Sequence, residues 1–377
     1  MISPLPVLLM CRELGAGGTE RQLTEVAKAL DRSRFSPHVA CFHPEGPRAA
    51  ELAAAAVPVA RFGVRSLYSP STLRFAVEFG RYVRRHGIRL VHAFDVPANL
   101  FATPSARAFS VPVVLTSQRA NRELTPGVFR HALRLTDQIA DGVVVNCLAM
   151  RRHLIEDERV PAGRIHLCYN AIDTGRFQPL EPFHQRSRPE PLQTARIVVG
   201  VVCVLRPEKA LETLVRAFAG ISPAGAGIRL AIIGSGPARN GLEQLAHRCG
   251  VAEDTVFIPA TADVTRWLHA MDIFVLPSRS EALSNSLMEA MACGCAAVAS
   301  RTGGNPELVQ HERTGLLFEP GSPNELAQRL AALVANTELR RSLAAAGCRF
   351  VHENFSTRAM VGHMEEIYCH FLDRVRP

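Results

Sequence analysis

One stretch of the chain, residues 271–310, constrains the fold more than any other. It begins with an apolar run at residues 273–276, passes through a polar loop into a segment with helical spacing, and ends in a second apolar run at residues 296–299 that leads to two glycines. Two short apolar runs joined by a helical segment are typical of a β-α-β unit. The stretch therefore predicts an open α/β sheet, in which ligands bind beyond the carboxyl ends of the strands.

Two glutamates lie between the apolar runs, Glu281 in the loop and Glu289 on the helical segment. Ser284, Asn285 and Ser286 stand between them as candidate N-caps. A helix that begins there would direct its free N–H groups and positive dipole end toward a phosphorylated ligand. Glu289 would then lie about one turn into the helix, within reach of hydroxyl groups beside the phosphates. The alternative is that both glutamates are ordinary solvated acids.

Fifteen residues of this stretch form a recognisable pattern at fixed spacing. They are Pro277, Ser278, Glu281, Leu287, Glu289, Ala290, Met291, Ala292, Gly294, Val298, Ala299, Gly303, Gly304, Pro306 and Glu307. The pattern resembles the nucleotide-sugar donor motif of family-four retaining glycosyltransferases. These enzymes have the GT-B fold, an α/β architecture of two Rossmann-like parallel-sheet domains that face a deep cleft. The resemblance implies that Glu281 lies beside the donor sugar, that Leu283 and the three candidate caps face sugar and diphosphate with their backbone, and that Glu289 holds the ribose hydroxyls.

Length and composition predict a globular protein of two domains. A chain of 377 residues is too long for one average domain, and 47% of its residues are hydrophobic while 21% are charged. No uninterrupted apolar stretch reaches the length that spans a bilayer. The first ten residues are apolar but lack a basic region and a cleavage-like site, so we expect a first strand there and not a signal peptide.

A proline-rich segment divides the chain. Residues 178–195 hold four prolines and few apolar residues, which is typical of a linker. We therefore predict an N-terminal acceptor-binding domain at residues 1–178, a linker at 179–194 and a C-terminal donor-binding domain at 195–355. By resemblance, a final helix at about residues 356–377 packs back on the first domain.

The ten cysteines are scattered and none forms a CxxC pair, so we expect free thiols in a reducing cytoplasm. The nearest pair, Cys293 and Cys295, has one residue between its members, which is a poor spacing for a metal site. The sequence predicts no metal ligands.

Two glycine turns follow apolar strands. Gly17 and Gly18 precede Glu20, which stands where a dinucleotide fingerprint needs its third glycine, and the turn that begins at Gly234 fails at the corresponding position. Neither turn predicts a nicotinamide enzyme. The first turn resembles the G-G-x-E loop of the same glycosyltransferase family, and this resemblance implies a position near the diphosphate. In that family the turn at Gly234 faces the donor.

His92 and Asp95 close a predicted strand at residues 89–94 and fall at its carboxyl end. The family often has two histidines near this point, and Phe94 occupies the place of the second. For His92 two interpretations stay open, a catalytic role or a hydrogen-bonded structural role.

A basic turn, Arg206 to Lys209, follows a strand that is predicted to be fully buried. Two cations at a strand end, next to the start of a helix, suit a diphosphate clamp, because charge-assisted bonds to phosphate are strong. The match to the family is imperfect, since Val204 stands where its arginine often lies and Ala210 replaces a usual glycine. The alternative is a solvated basic turn.

The resemblance implies transfer of a sugar from a nucleoside diphosphate to an acceptor hydroxyl with retention of configuration. A UDP-sugar is the first expected donor and a GDP-sugar the second; no cofactor and no metal are expected. Hydrolases that retain configuration use two carboxylates, and Glu281 is only one, so a front-face reaction is favoured. Two alternatives are a sugar-nucleotide epimerase, for which Asp95 and Glu123 are candidate acids or bases, and a non-catalytic sugar-nucleotide-binding protein.

Charge is distributed unevenly. Residues 1–180 hold 23 Lys and Arg and 15 Asp and Glu, a net charge of +8, which equals the net charge of the whole chain. Arginines cluster in two groups with interleaved apolar residues. They are Arg74, Arg81, Arg84, Arg85 and Arg89, and Arg119, Arg122, Arg130 and Arg134. A basic surface of this kind predicts peripheral contact with the cytoplasmic face of an anionic membrane. Because the first domain binds the acceptor in the family that the chain resembles, the resemblance implies a cytoplasmic enzyme of cell-surface glycan synthesis that acts on a lipid-linked or polysaccharide acceptor. Without an aromatic stacking array, nucleic acid is not an expected partner. The alternative is a solvated arginine-rich face.

Overall fold

The computed structural model describes residues 3–122, 125–180, 188–222 and 227–375. The chain divides into two compact units of nearly equal internal packing. Unit 1 comprises Met1–Ala171 and Thr357–Pro377, and unit 2 comprises Ile172–Ser356. Of the predicted linker, residues 181–187 lie outside the described residues, as does Glu123.

Thirteen strands are present in the described residues. They are β1 Leu5–Glu13, β2 Phe35–His43, β3 Val59–Arg61, β4 Leu90–Ala93, β5 Val113–Gln118, β6 Gly142–Val145, β7 Ile165–Leu167, β8 Ile197–Val202, β9 Ile228–Ile233, β10 Thr255–Ile258, β11 Ile273–Leu276, β12 Ala296–Ser300 and β13 Leu316–Phe318. The described residues also contain fourteen α-helices. They are α1 Gly18–Ala29, α2 Pro47–Ala54, α3 Ser71–Arg85, α4 Val96–Ala108, α5 Gly127–Ile139, α6 Leu148–Glu156, α7 Leu211–Ala219, α8 Arg239–Arg248, α9 Val264–Ala270, α10 Asn285–Ala292, α11 Asn305–Leu308, α12 Pro323–Ala335, α13 Thr337–Asn354 and α14 Thr357–Asp373.

Unit 1 is built on a seven-stranded sheet in the order β3-β2-β1-β4-β5-β6-β7, with every neighbouring pair parallel. Strand β1 is an interior strand and pairs Leu9 with Val39 on one side and with His92 on the other. Apolar clusters cover both faces of this sheet. One includes residues of α1 and α14, and the other includes residues of α3 and α4. Both faces of the sheet are buried, as expected for parallel strands.

Unit 2 repeats the plan with six parallel strands in the order β10-β9-β8-β11-β12-β13. Strands β8 and β11 are central and consist of buried β-branched and other apolar residues. The reversal of strand order between them places the ends of β8, β9, β11 and β12 side by side. In open α/β sheets this switch point is where ligands bind.

The C-terminal helix α14 belongs to unit 1, where Met364, Tyr368 and Leu372 join the same apolar cluster as Leu23 and Val26 of α1. Its buried residues recur three or four positions apart, so one face of the helix is apolar. None of the described helices is long and apolar enough to cross a membrane.

Helix α4 forms although its local sequence does not favour a helix. It contains Pro104 and several small polar residues, a composition that indicates a loop. Asp95 caps its first turn by accepting a hydrogen bond from the N–H of Ala98, and Phe101 is buried against the sheet. Burial of one face therefore overrides the weak local propensity of this segment.

Candidate active site

The ends of four adjacent strands form the candidate site in unit 2. The basic turn follows β8, the glycine turn follows β9, the loop with Glu281 follows β11, and Gly303 follows β12. Because neighbouring parallel strands end at the same edge, groups far apart in sequence meet here. The predicted donor residues of the second domain therefore share one edge of one sheet.

An ion pair between Lys209 and Glu281 is the central contact of this edge. Lys209 Nζ donates to Glu281 Oε2 over 2.6 Å, and the side chains are 20% and 13% exposed. Ser278 Oγ also donates to Glu281 Oε2, over 3.2 Å. Burial lowers the pKa of Lys209, but the charge and hydrogen bond of Glu281 outweigh it, so the net shift is upward and the lysine stays protonated. The sequence placed these residues in separate roles and did not predict their direct contact.

The turn that carries Lys209 depends on an unusual backbone conformation. Residues 207–209 form a 3-10 turn, and Ala210 then adopts φ 48° and ψ 40°, in the left-handed region. This conformation explains the glycine that the family has here, because a Cβ disfavours it. Ala210 nevertheless starts α7 and is fully buried.

Arg206 lies at the surface of the same turn. Its side chain is 61% exposed, and its guanidinium is 4.0 Å from the carboxylate of Glu208. Val204, where the family arginine often stands, is also exposed. Of the two predicted clamp cations, Lys209 is fixed by a short ion pair, while Arg206 is largely solvated.

Helix α10 begins where the sequence predicted, at Asn285, and Ser284 is its N-cap. Ser284 Oγ accepts a hydrogen bond from the N–H of Leu287 over 3.3 Å and lies 3.3 Å from Ser286 Oγ. Leu283 is buried beside it. The first turn of α10 therefore offers N–H groups and the positive end of the helix dipole at the strand ends.

Glu289 lies on the buried side of α10 and is only 3% exposed. A carboxylate is rarely buried to this extent unless it has partners, so the interpretation as a solvated acid does not hold for Glu289.

Two glycines allow close backbone contacts around the ion pair. A Cβ at Gly303 would lie 1.8 Å from the carbonyl oxygen of Glu281, and the neighbouring Gly304 N–H donates to Ala282 O over 2.7 Å. At Gly234, where φ is 141°, a Cβ would lie 1.8 Å from the carbonyl oxygen of Cys203. Any larger residue at either position would displace a loop of the site.

A buried polar network supports the loop of Glu281, and the sequence analysis did not identify its roles. Ser300 Oγ donates to Ser278 O over 2.6 Å, and Asn305 Nδ2 donates to Ser300 O over 3.0 Å. All three side chains are fully buried. Ser278 belonged to the motif, but nothing in the sequence indicated that Ser300 and Asn305 would reach it, because the contacts join three separate segments.

In unit 1, Gly17 is the N-cap of α1 and Gly18 its first residue, and both are exposed. A Cβ at Gly17 would lie 2.1 Å from Glu20 Oε2, so the glutamate side chain folds back over this turn. Burial raises the pKa of Glu20. The turn therefore has the conformation expected at a helix start, with a carboxylate beside it.

His92 is fully buried in unit 1, and both of its ring nitrogens have hydrogen-bond partners. Nδ1 lies 2.9 Å from the hydroxyl oxygen of Tyr368, and Nε2 lies 2.8 Å from Ser117 Oγ. Burial first, and then the charge of Arg119, lower its pKa well below the usual value, so the ring is neutral. Phe94 packs against it with ring centroids 4.3 Å apart. These contacts agree with the structural role that the sequence left open beside a catalytic one.

The epimerase alternative assigned acid or base chemistry to Asp95. Its two carboxylate oxygens accept hydrogen bonds from the backbone N–H groups of Arg12 and Ala98, over 2.6 and 2.9 Å. Burial is the largest influence on its pKa and raises it to about 6. The side chain is thus engaged in capping α4.

One member of the predicted basic surface is not at the surface, and another is partly enclosed. Arg122 is 1% exposed and pairs with Asp137 over 2.7 Å. Arg119 is partly buried; it donates to Asn170 Oδ1 over 2.7 Å and stacks on Phe94, and burial lowers its pKa to about 10. The prediction that Arg122 belongs to a basic surface that contacts a membrane was wrong. The sequence pattern did not show that carboxylates on α5 and after α6 would enclose Arg122.

None of the ten cysteines forms a disulfide, and Cys293 and Cys295 are buried. Within the described ranges, no three His, Cys, Asp or Glu side chains are grouped so that they could hold a metal ion.

Comparison with known proteins places the chain in a family. The family model described as Glycosyltransferase Family 4 matches residues 16–176, and the model described as Glycosyl transferases group 1 matches residues 184–349. The GDP-mannose-dependent alpha-(1-6)-phosphatidylinositol monomannoside mannosyltransferase of Mycobacterium tuberculosis is 30% identical over 308 residues, which cover 77% of this chain and 79% of that protein. The chain belongs to the family-four glycosyltransferases, and its activity is that of a glycosyltransferase.

Two further proteins are similar over most of their length. The N-acetyl-alpha-D-glucosaminyl L-malate synthase of Bacillus anthracis is 24% identical over 80% of both chains. The crystal structure of HepE from Anabaena in complex with UDP-glucose superposes with a TM-score of 0.86 at 21% identity, covering 97% of this chain and 100% of that one. The structural likeness confirms the predicted fold class, GT-B with two Rossmann-like domains.

Proposed function

We propose that the protein transfers a sugar from a nucleoside-diphosphate sugar to a hydroxyl of a lipid-linked or polysaccharide acceptor, with retention of configuration and without a metal ion. One observation carries the proposal. A protonated lysine and a glutamate form an ion pair at 2.6 Å, on the same strand-end edge as the capped N-terminus of α10. A cation, a carboxylate and free N–H groups are what a sugar diphosphate needs for binding and departure.

The ion pair gives the proposed reaction its order of events. Without donor, Glu281 neutralises Lys209. A diphosphate that enters competes for the lysine as an alternative anion, so the carboxylate is released to orient the sugar hydroxyls. As the glycosidic bond breaks, negative charge grows on the diphosphate, and Lys209, Arg206 and the N–H groups of α10 stabilise it.

The proton balance of this step favours a front-face reaction. A double-displacement route needs a carboxylate nucleophile and a second acid or base. Glu281 is held beside a lysine and a serine in the described structure. In our proposal the departing phosphate accepts the proton of the acceptor hydroxyl, and the new bond forms on the face from which the phosphate leaves.

The relatives bear on the base of the donor nucleotide. The sequence favoured UDP over GDP, and HepE was crystallised with UDP-glucose. The mycobacterial relative is named for GDP-mannose and is more similar in sequence, at 30% against 21% identity. We therefore place GDP-mannose first among donors to test and UDP-sugars second. The same relative acts on a phosphatidylinositol mannoside by its name, which supports a lipid-linked acceptor. For such an acceptor we propose that the enzyme works peripherally at the inner face of the membrane.

A thermal-shift panel of sugar nucleotides tests the donor. A ligand at 100 times its dissociation constant should stabilise the fold by about 2.7 kcal/mol. We expect GDP-mannose or a UDP-sugar to raise the melting temperature of the wild type, and Glu289→Ala to lose most of that shift. Glu253→Ala, an exposed control in the same unit, should keep it. If no sugar nucleotide raises the melting temperature of the wild type, the proposal that the protein uses a sugar-nucleotide donor is refuted.

The competing interpretations and the metal are tested by product analysis. An epimerase would alter the donor sugar without an acceptor, and a non-catalytic protein would bind the donor and release no nucleotide. We expect nucleotide release that depends on an added acceptor and a product with the donor's anomeric configuration. Treatment with EDTA should leave the rate of transfer unchanged. If EDTA abolished the activity and Mg²⁺ restored it, the proposal that the reaction needs no metal ion would be contradicted.

A further inference from the structure

Exposed large hydrophobic side chains concentrate on one part of unit 1. Of the eleven such residues in the described part of the chain, six lie on α3 and α5 or just before α3. They are Tyr68, Leu73, Val77, Val128, Leu135 and Ile139. Tyr68, Leu73 and Val128 are 71%, 74% and 69% exposed. An apolar concentration of this kind on a soluble fold indicates an interaction site.

The spacing shows that these side chains form stripes. On α5, Val128, Leu135 and Ile139 fall at positions i, i+7 and i+11, with Ala132 between them, so they share one side of the helix. Leu73 and Val77 are four residues apart on α3. Two helices therefore turn apolar stripes outward, whereas a surface helix ordinarily directs its apolar stripe to the core.

A groove of about 420 Å³ lies between these helices and α4. Twelve of its fourteen lining residues are apolar or aromatic. Its lining includes Phe101, Pro104 and Ala108, together with the rings of Tyr68 and Phe129, whose centroids are 5.8 Å apart. The volume falls within the range of about 300 to 1,000 Å³ that is usual for small-molecule pockets. Its polarity suits a hydrocarbon chain.

Positive charge predominates on the helices that form the groove. Helices α3, α4 and α5 together hold seven arginines and two acidic residues. Three of these arginines form ion pairs: Arg74 with Glu78, Arg107 with Asp141 and Arg134 with Glu158. Arg81, Arg84 and Arg85 are exposed at the end of α3, and the Arg84 guanidinium lies 5.2 Å from the ring of Phe109, which lines the groove.

We propose that this surface is a docking site for an anionic lipid bilayer, with an acyl chain in the groove and the arginines at the lipid phosphates. The charge selects the bilayer as occupant. An apolar surface for another protein is typically depleted in charge at its core and has a rim of mixed polarity. Here three exposed arginines, Arg81, Arg84 and Arg85, follow the apolar stripe of α3 and give this end of the surface a net positive charge, which matches lipid tails beneath a layer of phosphates.

The inference concerns a surface of unit 1 and is independent of the donor site in unit 2. It extends the proposed lipid-linked acceptor by naming where the enzyme meets the lipid. Vesicle binding is measured without donor, so a failure of docking and a failure of sugar-nucleotide binding give separate results.

Co-sedimentation with sucrose-loaded vesicles tests the docking site. We expect wild-type protein to bind phosphatidylglycerol vesicles and to bind phosphatidylcholine vesicles much more weakly. Because hydrocarbon contacts are not screened, part of the binding to phosphatidylglycerol should persist at 1 M salt, where the screening length falls to about 3 Å. If binding vanished entirely at 1 M salt, the contact would depend on charge alone. The proposal that an acyl chain enters the groove would then be refuted.

Three variants separate hydrocarbon from charge. Leu73→Ser with Val128→Ser should weaken binding about ten-fold or more, because two exposed apolar side chains no longer enter the bilayer. Ala108→Trp should fill the groove and abolish the salt-resistant part while keeping every charge. Arg81, Arg84 and Arg85 changed to Glu should weaken binding on the order of 100-fold at low salt.

Matched controls lie outside the surface. Leu148→Ser alters an exposed leucine on α6, and Arg216, Arg248 and Arg313 changed to Glu reverse three exposed charges in unit 2. Both should bind like wild type, and equal loss in a control would overturn the assignment. A wild-type protein that ignores vesicles but forms a concentration-dependent dimer, lost in Leu73→Ser, would make the surface a protein interface and refute the bilayer.

Discussion

The carboxyl ends of the two sheets hold their polar side chains differently. In unit 1, His92 is fully buried and Arg119 is partly buried, and both are hydrogen-bonded to protein atoms. In unit 2, Lys209 and Glu281 form their pair at a partly exposed edge, with Arg206 largely in solvent. Both edges carry residues that the sequence marked as candidates, but the second presents an ion pair in which a ligand could replace one of the protein partners.

Structural and functional polar groups differ in how completely protein partners satisfy them. A buried group with every polar atom satisfied stabilises the fold, and its removal leaves its partners without hydrogen bonds. A half-buried ion pair beside a helix N-terminus can release one member to an incoming anion at lower cost. Substitutions at the two edges should therefore affect different quantities.

The largest effect is expected for Lys209→Ala. Loss of a cation that stabilises the departing diphosphate should lower turnover on the order of 100-fold or more, by analogy with lost oxyanion donors. Arg206→Ala is predicted to act in the same direction. Steady-state kinetics with saturating donor measures both.

The chain offers a matched control for this prediction in Lys28, its one other lysine, which lies on α1 beside Glu25. Lys28→Ala should leave turnover unchanged. Should Lys209→Ala keep wild-type turnover, the clamp has been placed on the wrong residue.

At the first edge, His92→Gln should mainly affect stability. At neutral pH we expect a loss of about 2 to 3 kcal/mol, because two buried hydrogen bonds are broken or strained. Turnover per folded molecule should change only a few-fold. A variant that folds as well as wild type but loses turnover on the order of 100-fold would restore the catalytic role for His92.

The pH dependence of the same variant gives an independent check. The folded-state pKa of His92 lies well below its unfolded value, so below about pH 6.5 the unfolded chain binds a proton that the folded protein does not. Wild-type stability should therefore fall as pH drops below about 6.5, by up to about 1.4 kcal/mol per pH unit from this group. His92→Gln lacks this contribution, so denaturant titrations should show the gap to wild type narrowing at acid pH.

The smallest effect is expected for Ala210→Gly at the second edge. Glycine relieves the left-handed strain, on the order of 1 kcal/mol, but adds freedom to the unfolded chain, so we expect a net gain of about 0.5 kcal/mol. Ala331→Gly, on the exposed side of α12, should instead cost about 1 kcal/mol. Denaturant midpoints compare the two, and a loss of stability in Ala210→Gly would show that the turn is not strained.

Much of the second domain could be predicted because its signals are local. Each of these signals depends only on the residues of its own short segment. They are the apolar runs of β8, β11 and β12, the serine that caps α10 and the glycine at position 303. Periodicity, capping and positive φ are properties of short segments, so a single sequence displays them.

Burial of polar groups was not predictable in the same way. Arg122 stands in a polar segment, yet the structure encloses it between Asp137 and Glu158. Whether an arginine is solvated or enclosed depends on carboxylates that are distant in sequence, and no local sequence pattern indicates which carboxylates these are.

The class of fold, the start of α10 and the set of charged residues near the donor motif follow from the sequence alone. Which charges meet depends on the tertiary structure. Lys209 and Glu281 are 72 positions apart, and His92 and Tyr368 are 276 apart, yet each pair is within hydrogen-bond distance. The physical reason is that helix, turn and strand preferences act over a few residues, whereas the partner of a buried polar group is set by how whole elements pack around it.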